Sequence, residues 1–315
     1  MNTQSNPTPV STLDSQAIGP ASMSATRPMY WSVRRELWEN RSIYIAPLAA
    51  AAVAILGFLI SLIRLPKTVR ELPALDSAHQ RIALAMPYAH AAMLLMLTAF
   101  LVGIFYSLDA LHGERRDRSI LFWKSLPVSD LTTVLSKASI PLVILPLLAF
   151  ALTVGTQWIM LLLSTAVLAA DGLGATALWT QLPLFQMELV SLYGIAVIAL
   201  WHAPLYMWLL LVSGWARRAA FLWAVFPPLA IAVFEKIGFH TSYFGSLMQD
   251  RLFGFAAGAF DLKDRSGLPV DPHFIPLAQL APVRFLSSPS LWVGLVFAAV
   301  FLAAAVRMRR YRGPI

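Results

Sequence analysis

From Leu142 to Ala170 the chain reads "LVILPLLAFALTVGTQWIMLLLSTAVLAA" without one charged residue. Crossing a hydrocarbon core of ~30 Å takes ~20 apolar residues, and inside that core every backbone N–H and C=O must find its partner within the protein. Similar runs recur along the sequence, near residues 44–63, 88–107, 138–170, 188–212, 219–234 and 290–306. No long series of alternating ten-residue segments accompanies them, so a barrel is not the solution. The expected fold is an all-α integral membrane protein with six transmembrane helices. Composition agrees: 58% of residues are hydrophobic and 13% charged, against about 25% charged in ordinary soluble domains.

The net charge of +8 follows the topology. Six crossings put both termini on one side. That side collects Arg27, Arg34, Arg35 and Arg41, the basic residues from Arg115 to Lys137, Arg217 and Arg218, and the arginines from Arg307 to Arg312. The opposite short loops hold fewer. The positive-inside rule then makes both termini cytoplasmic. Nucleic acid is not an expected partner, because no basic soluble domain is present. The absence of cysteine excludes disulfides, thiolate nucleophiles and Cys-ligated zinc.

Residues 1–29 are rich in Ser, Thr, Pro, Asn and Gln with no apolar core; they read as a disordered cytoplasmic tail, not a signal peptide. In "MYWSVRRELWENRSIY", Tyr30, Val33, Leu37 and Trp38 fall near one helical face with Arg35, Glu36 and Glu39 opposite. This pattern suits a helix lying in the membrane interface. Pro141 and Pro146 are expected to break the third span, and Pro227 and Pro228 to kink the fifth. Asp171 to Gln186 reads as a short loop. The connection 235–289 contains "SYFGSLMQDRLFGFAAGAF", too interrupted by Asp250 and Arg251 for a seventh span, and is expected to form a re-entrant or interfacial segment.

The most polar ordered stretch is "LDALHGERRDRSILFWKSLPVSDLTTVLSK", Leu108 to Lys137. Glu114 stands four residues before Arg118, which supports a solvated helix. Pro127 should end it, and Ser129 or Asp130 should cap a helix entering the third span. Ile120, Leu121, Phe122, Trp123 and Leu126 are too apolar for a segment that faces only water. Pattern alone leaves two readings open: they fold onto the protein's own helices or headgroups, or they dock a soluble partner.

Extended back to Tyr106, this run resembles the permease subunits of bacterial type-2 ATP-binding-cassette exporters, in which a Tyr and a Leu close the second span, a Glu-Arg pair opens a basic helix and an element like "FWKSLPVSD" precedes the third span. The likeness is close over about thirty residues, and the six-span layout agrees with it. It implies a cytoplasmic coupling helix within Leu111 to Phe122 that docks a separate ATPase subunit. Leu111, Glu114, Arg115, Arg116, Arg118, Phe122 and Trp123 would form the docking element. It also implies a second permease, identical or paralogous, a location in the bacterial inner membrane, and a substrate route flanked by spans one, two and five. The chain lacks a "GxxxxGK[ST]" loop, so ATP and Mg would be bound by the partner and no cofactor by this chain.

No acid sits in the middle of a span, which argues against ion coupling. His202 in "WHAP" reads as a packing histidine, and a zinc site from His240 and His273 lacks ligand spacing. HExxH and GxSxG are absent from the sequence. A largely uncharged, aromatic-bearing interior suits an amphipathic or lipid-like cargo. The alternative is a membrane-embedded enzyme or envelope-assembly factor acting without an ATPase, which leaves the Leu108 to Lys137 stretch without a role.

Overall fold

The computed structural model describes residues 26–74, 76–126, 128–261 and 277–315. Most of the N-terminal tail, Pro127 and His273 lie outside the described residues, as does part of the 235–289 connection.

The first helices are α1 (Thr26–Glu39), α2 (Ser42–Leu62), α3 (Leu65–Glu71) and α4 (Ser77–Asp109), with α5 (His112–Arg116), α6 (Ile120–Ser125) and α7 (Asp130–Ser139) following. The chain continues through α8 (Leu145–Ala170), α9 (Thr176–Gln181), α10 (Leu184–Trp215) and α11 (Ala220–Gly238). It closes with α12 (Tyr243–Phe253), α13 (Phe255–Ala259), α14 (Pro282–Leu286) and α15 (Pro289–Tyr311). No strand occurs among the described residues; Phe260 and Leu280 form one isolated bridge. Six helical stretches are long and apolar enough to cross a membrane, built on α2, α4, α7 with α8, α10, α11 and α15.

These helices outrun the apolar runs that announce them, because a helix continues into water wherever its side chains are polar. The six apolar runs thus give the number of crossings but not the helix ends. The third span is not broken at its prolines. Ser129 caps α7 by accepting a hydrogen bond from the Thr132 amide at 3.0 Å. A π turn at Ile140–Ile144 then takes up Pro141, and Pro146 falls in the first turn of α8. A proline in a helix removes one donor and crowds the preceding turn, and a wider turn absorbs both. Pro227 and Pro228 likewise sit inside α11 without ending it.

Helix α10 is the most buried of the six and α11 the least. Helix α10 lies along α15, while α2, α4 and α8 pack together. One core joins α4, α7, α8, α10 and α15 around Val134, Ile140, Leu145 and Leu210; a second, around Tyr88, Met160, Leu168 and Leu178, joins α2, α4, α8 and α9. The expected loop Asp171 to Gln186 therefore contains a helix, α9, whose Leu178 is buried. Gly172, at φ +69°, ends α8, and the Leu173 amide reaches back to the Leu168 carbonyl at 2.9 Å. That is the left-handed closure a glycine makes without strain.

Between α11 and α15 the chain forms α12 and α13, of 11 and 5 residues. At 1.5 Å per residue neither can cross a bilayer. Glu235 accepts from the Tyr243 and Phe244 amides at 2.6 and 2.8 Å, fixing the start of α12. Arg251 lies over the Trp201 ring at 4.5 Å and bonds the Ser290 carbonyl, tying α12 to α10 and α15.

Candidate functional site

The polar stretch after α4 folds as two short helices with a sharp turn between them. Arg118 adopts φ +58°, so α5 and α6 are not one continuous helix, and the expected pairing of Glu114 with Arg118 along a solvated face does not form. A non-glycine residue in this region costs about 1–2 kcal/mol, which the surrounding contacts must offset. Those contacts are buried ones. Leu111, Glu114 and Arg115 are all buried, while Arg116, Asp117 and Arg118 face outward.

Glu114 enters a cluster drawn from five elements. Its Oε1 lies 3.1 Å from Arg35 of α1 and 3.1 Å from Lys137 of α7, and its Oε2 accepts from Arg309 of α15. Glu36 completes the cluster. Its Oε1 lies 2.6 Å from Arg35 and 2.8 Å from Lys137, and its Oε2 accepts from the Tyr106 hydroxyl of α4 at 2.7 Å. Asp130 lies 3.3 Å from Arg309. With Glu39 at 3.7 Å from Arg35, three cations, Arg35, Lys137 and Arg309, thus face four acids. Burial pushes the Glu36 carboxyl up, but the attraction of Lys137 and Arg35 outweighs it, holding the group below the ordinary glutamate range.

Helix α1 does not divide into the two faces the sequence suggests: Val33 and Leu37 pack against the core and Glu39 is exposed, but Glu36 points inward. Glu36 is fully buried, whereas Tyr30, Trp31 and Trp38 are exposed. Arg34 lies 5.2 Å from the Trp31 ring and 4.6 Å from that of Trp38, forming an aromatic and cationic outer face.

A second set of bonds holds α5 against the ends of α10 and α15. The buried Ser213 hydroxyl accepts from the Leu111 and His112 amides at 2.9 and 2.8 Å. Arg115 donates to the Gly214 and Ala216 carbonyls at 2.8 and 3.1 Å and to the Gly313 carbonyl at 3.2 Å. Gly214 permits this approach, since a Cβ there would stand 3.3 Å from Leu111 Cδ1 and 3.6 Å from Met308 Cβ. Lys124 of α6 donates to the carbonyls of Arg310 and Arg312.

Of the seven residues expected to form the docking element, the fold divides the set. Leu111, Glu114 and Arg115, expected at a partner surface, are spent inside the chain: Leu111 packs in the core with its amide on Ser213, Glu114 meets cations from α1, α7 and α15, and Arg115 meets carbonyls at the ends of α10 and α15. Arg116, Arg118 and Phe122 remain at the surface. Trp123 is half-buried, with Arg35 over its ring at 4.1 Å. Leu121 and Phe122 are each 59% exposed and form the tip of α6. Sequence reasoning missed Glu36, Lys137, Arg309 and Ser213; Lys137 and Ser213 stand beside apolar runs, and Glu36 and Arg309 are indistinguishable from the charges next to them.

His202 is buried, with Nδ1 at 3.0 Å from the Ile198 carbonyl and Nε2 at 3.3 Å from that of Leu252. Both partners are carbonyls, so the single N–H of a neutral imidazole can donate to one of them. Comparison with protein-family models, curated proteins and solved structures returns no match.

Proposed function

We propose that this chain is the permease subunit of an ATP-binding-cassette exporter in a bacterial inner membrane, with both termini cytoplasmic, and that α6 docks a separate ATPase. One observation supports the reading above the others. The exposed Leu121 and Phe122 stand on a short helix pair tied by buried ion pairs to α1, α7 and α15, and by Ser213 and Arg115 to α10. A push on the tip is therefore delivered to three of the spanning segments together, which is what a coupling element must do.

Other features accord with it. The aromatic, cationic outer face of α1 suits the headgroup layer. Helix α11 leaves broad apolar surface for lipid and for a second permease. ATP and Mg would belong to the partner, and the cargo would be amphipathic or lipid-like.

Affinity purification of the tagged chain in mild detergent, followed by mass spectrometry, tests the reading. Co-purification of an ATPase subunit, lost when Leu121 and Phe122 are both replaced by Ala in an otherwise folded chain, supports it. Reproducible absence of any ATPase from folded protein overturns it in favour of an enzyme or envelope-assembly factor.

A further inference from the structure

A cavity of about 180 Å³ opens between α2, α3, α4, α8 and α9, at the end of the bundle opposite α5 and α6. Phe58, Leu62 and Leu84 supply apolar walls, and Tyr88 and Ser164 the polar atoms on its wall. Apolar cavities of ~150 Å³ take up benzene, so this one has room for a ring or the last several carbons of a chain. Its internal polar groups ask for nothing. The Tyr88 hydroxyl and Ser164 Oγ are 3.3 Å apart, Ser61 donates to the Phe58 carbonyl at 2.7 Å, and Thr68 donates to the Arg64 carbonyl at 3.2 Å.

The cations beside it differ in what they have found. On α3, Lys67 has Glu71 at 3.9 Å and Arg70 has Asp171 at 3.8 Å. Arg64, the basic residue that lines the cavity, is exposed and has no ion pair among the described residues. A guanidinium presents a planar fork suited to phosphate or carboxylate.

We infer that this cavity binds an anionic amphiphile, with the end of its hydrocarbon chain between Phe58, Leu62 and Leu84 and its headgroup at Arg64. The site lies within one chain and does not depend on the proposed ATPase. Its occupant could be a lipid of the surrounding bilayer or a free single-chain solute, and the two share the same chemistry of anion and alkyl tail.

The test uses the full chain in nanodiscs of zwitterionic phosphatidylcholine with a diazirine-bearing decyl phosphate, the labelled peptides being read by mass spectrometry. Saturable labelling of residues 58–65 and 83–88, competed by decyl phosphate and not by decyltrimethylammonium, is expected. Arg64→Gln should raise the half-saturating concentration about three- to tenfold, while Arg70→Gln leaves it within about twofold. Leu84→Trp should abolish labelling by filling the space, with circular dichroism and elution volume reporting the fold; Arg64→Gln keeps the test decisive if that variant misfolds. Adding phosphatidylglycerol separates the sources: competition marks a bilayer lipid, and undiminished labelling marks a free solute. Non-saturable labelling spread over the outer helix faces, or equal competition by the cationic amphiphile, would overturn the site.

Discussion

Lys137 and Glu36, 101 residues apart in the chain, meet at 2.8 Å with their side chains withdrawn from solvent. The same ammonium lies 3.1 Å from Glu114, so one lysine answers two acids on two different helices. Breaking a buried pair costs more than the pair itself contributes, because it strands the remaining charge. Lys137→Met should lower stability by about 3–5 kcal/mol, read as the thermal midpoint in detergent. The double variant Lys137→Met, Glu36→Gln should lose less than the sum of the two single changes.

The pH response of this cluster has a definite sign. Glu36 titrates below its ordinary value, near 4.3 when unfolded. A depressed carboxyl contributes stability that is fully present above the unfolded value and is lost as pH falls through the folded one. The unfolding midpoint attributable to Glu36 should stay flat from about pH 7 to pH 5 and drop below about pH 4. The Glu36→Gln variant, less stable at neutral pH, should show a shallower acid limb; equal limbs would remove Glu36 as a source of acid sensitivity.

Ser213 is a small side chain with a large burden. Its hydroxyl accepts from two amides, Leu111 and His112. Ser213→Ala leaves both without that acceptor and should cost about 2 kcal/mol. Amide hydrogen exchange at residues 111 and 112 should accelerate more than exchange in the middle of α8, which separates local release of α5 from general loosening.

Glu114→Ala and Arg115→Ala are natural choices for uncoupling a docking helix, and the geometry argues against both. Each residue is buried among intrachain partners, so each change should reduce folded yield before it reports on any partner. Phe122→Ala and Leu121→Ala should instead leave the unfolding free energy within about 0.5 kcal/mol of the parent and weaken ATPase retention on an affinity column. Retention unchanged in the double variant would take α6 out of the docking surface.

The number of helices long enough to span and a cap at Ser129 or Asp130 were legible because each depends on neighbours in sequence. The same holds for the failure of 242–260 to form a seventh span. The site was not. Helical periodicity assigns charges to the wet face, and it therefore turned Glu36 outward and placed Glu114 beside Arg118. Both acids face inward because distant cations reach them: Lys137 lies 101 residues from Glu36, and Arg35 and Arg309 lie 79 and 195 residues from Glu114, and no local window contains these contacts. Helix α9 escaped for a different reason. With six residues it is too short for a period to register, and the burial of Leu178 is its only signature.

The Glu114–Arg309 contact also sets an order of events. Synthesis proceeds at about 5–20 residues per second, and these two residues are separated by 195 positions. Glu114 therefore leaves the ribosome about 10–40 s before its arginine. During that interval Glu114 can meet only Arg35 and Lys137 of its three cations. A chain truncated before α15 would leave Glu114 with two of its three cations, Arg35 and Lys137.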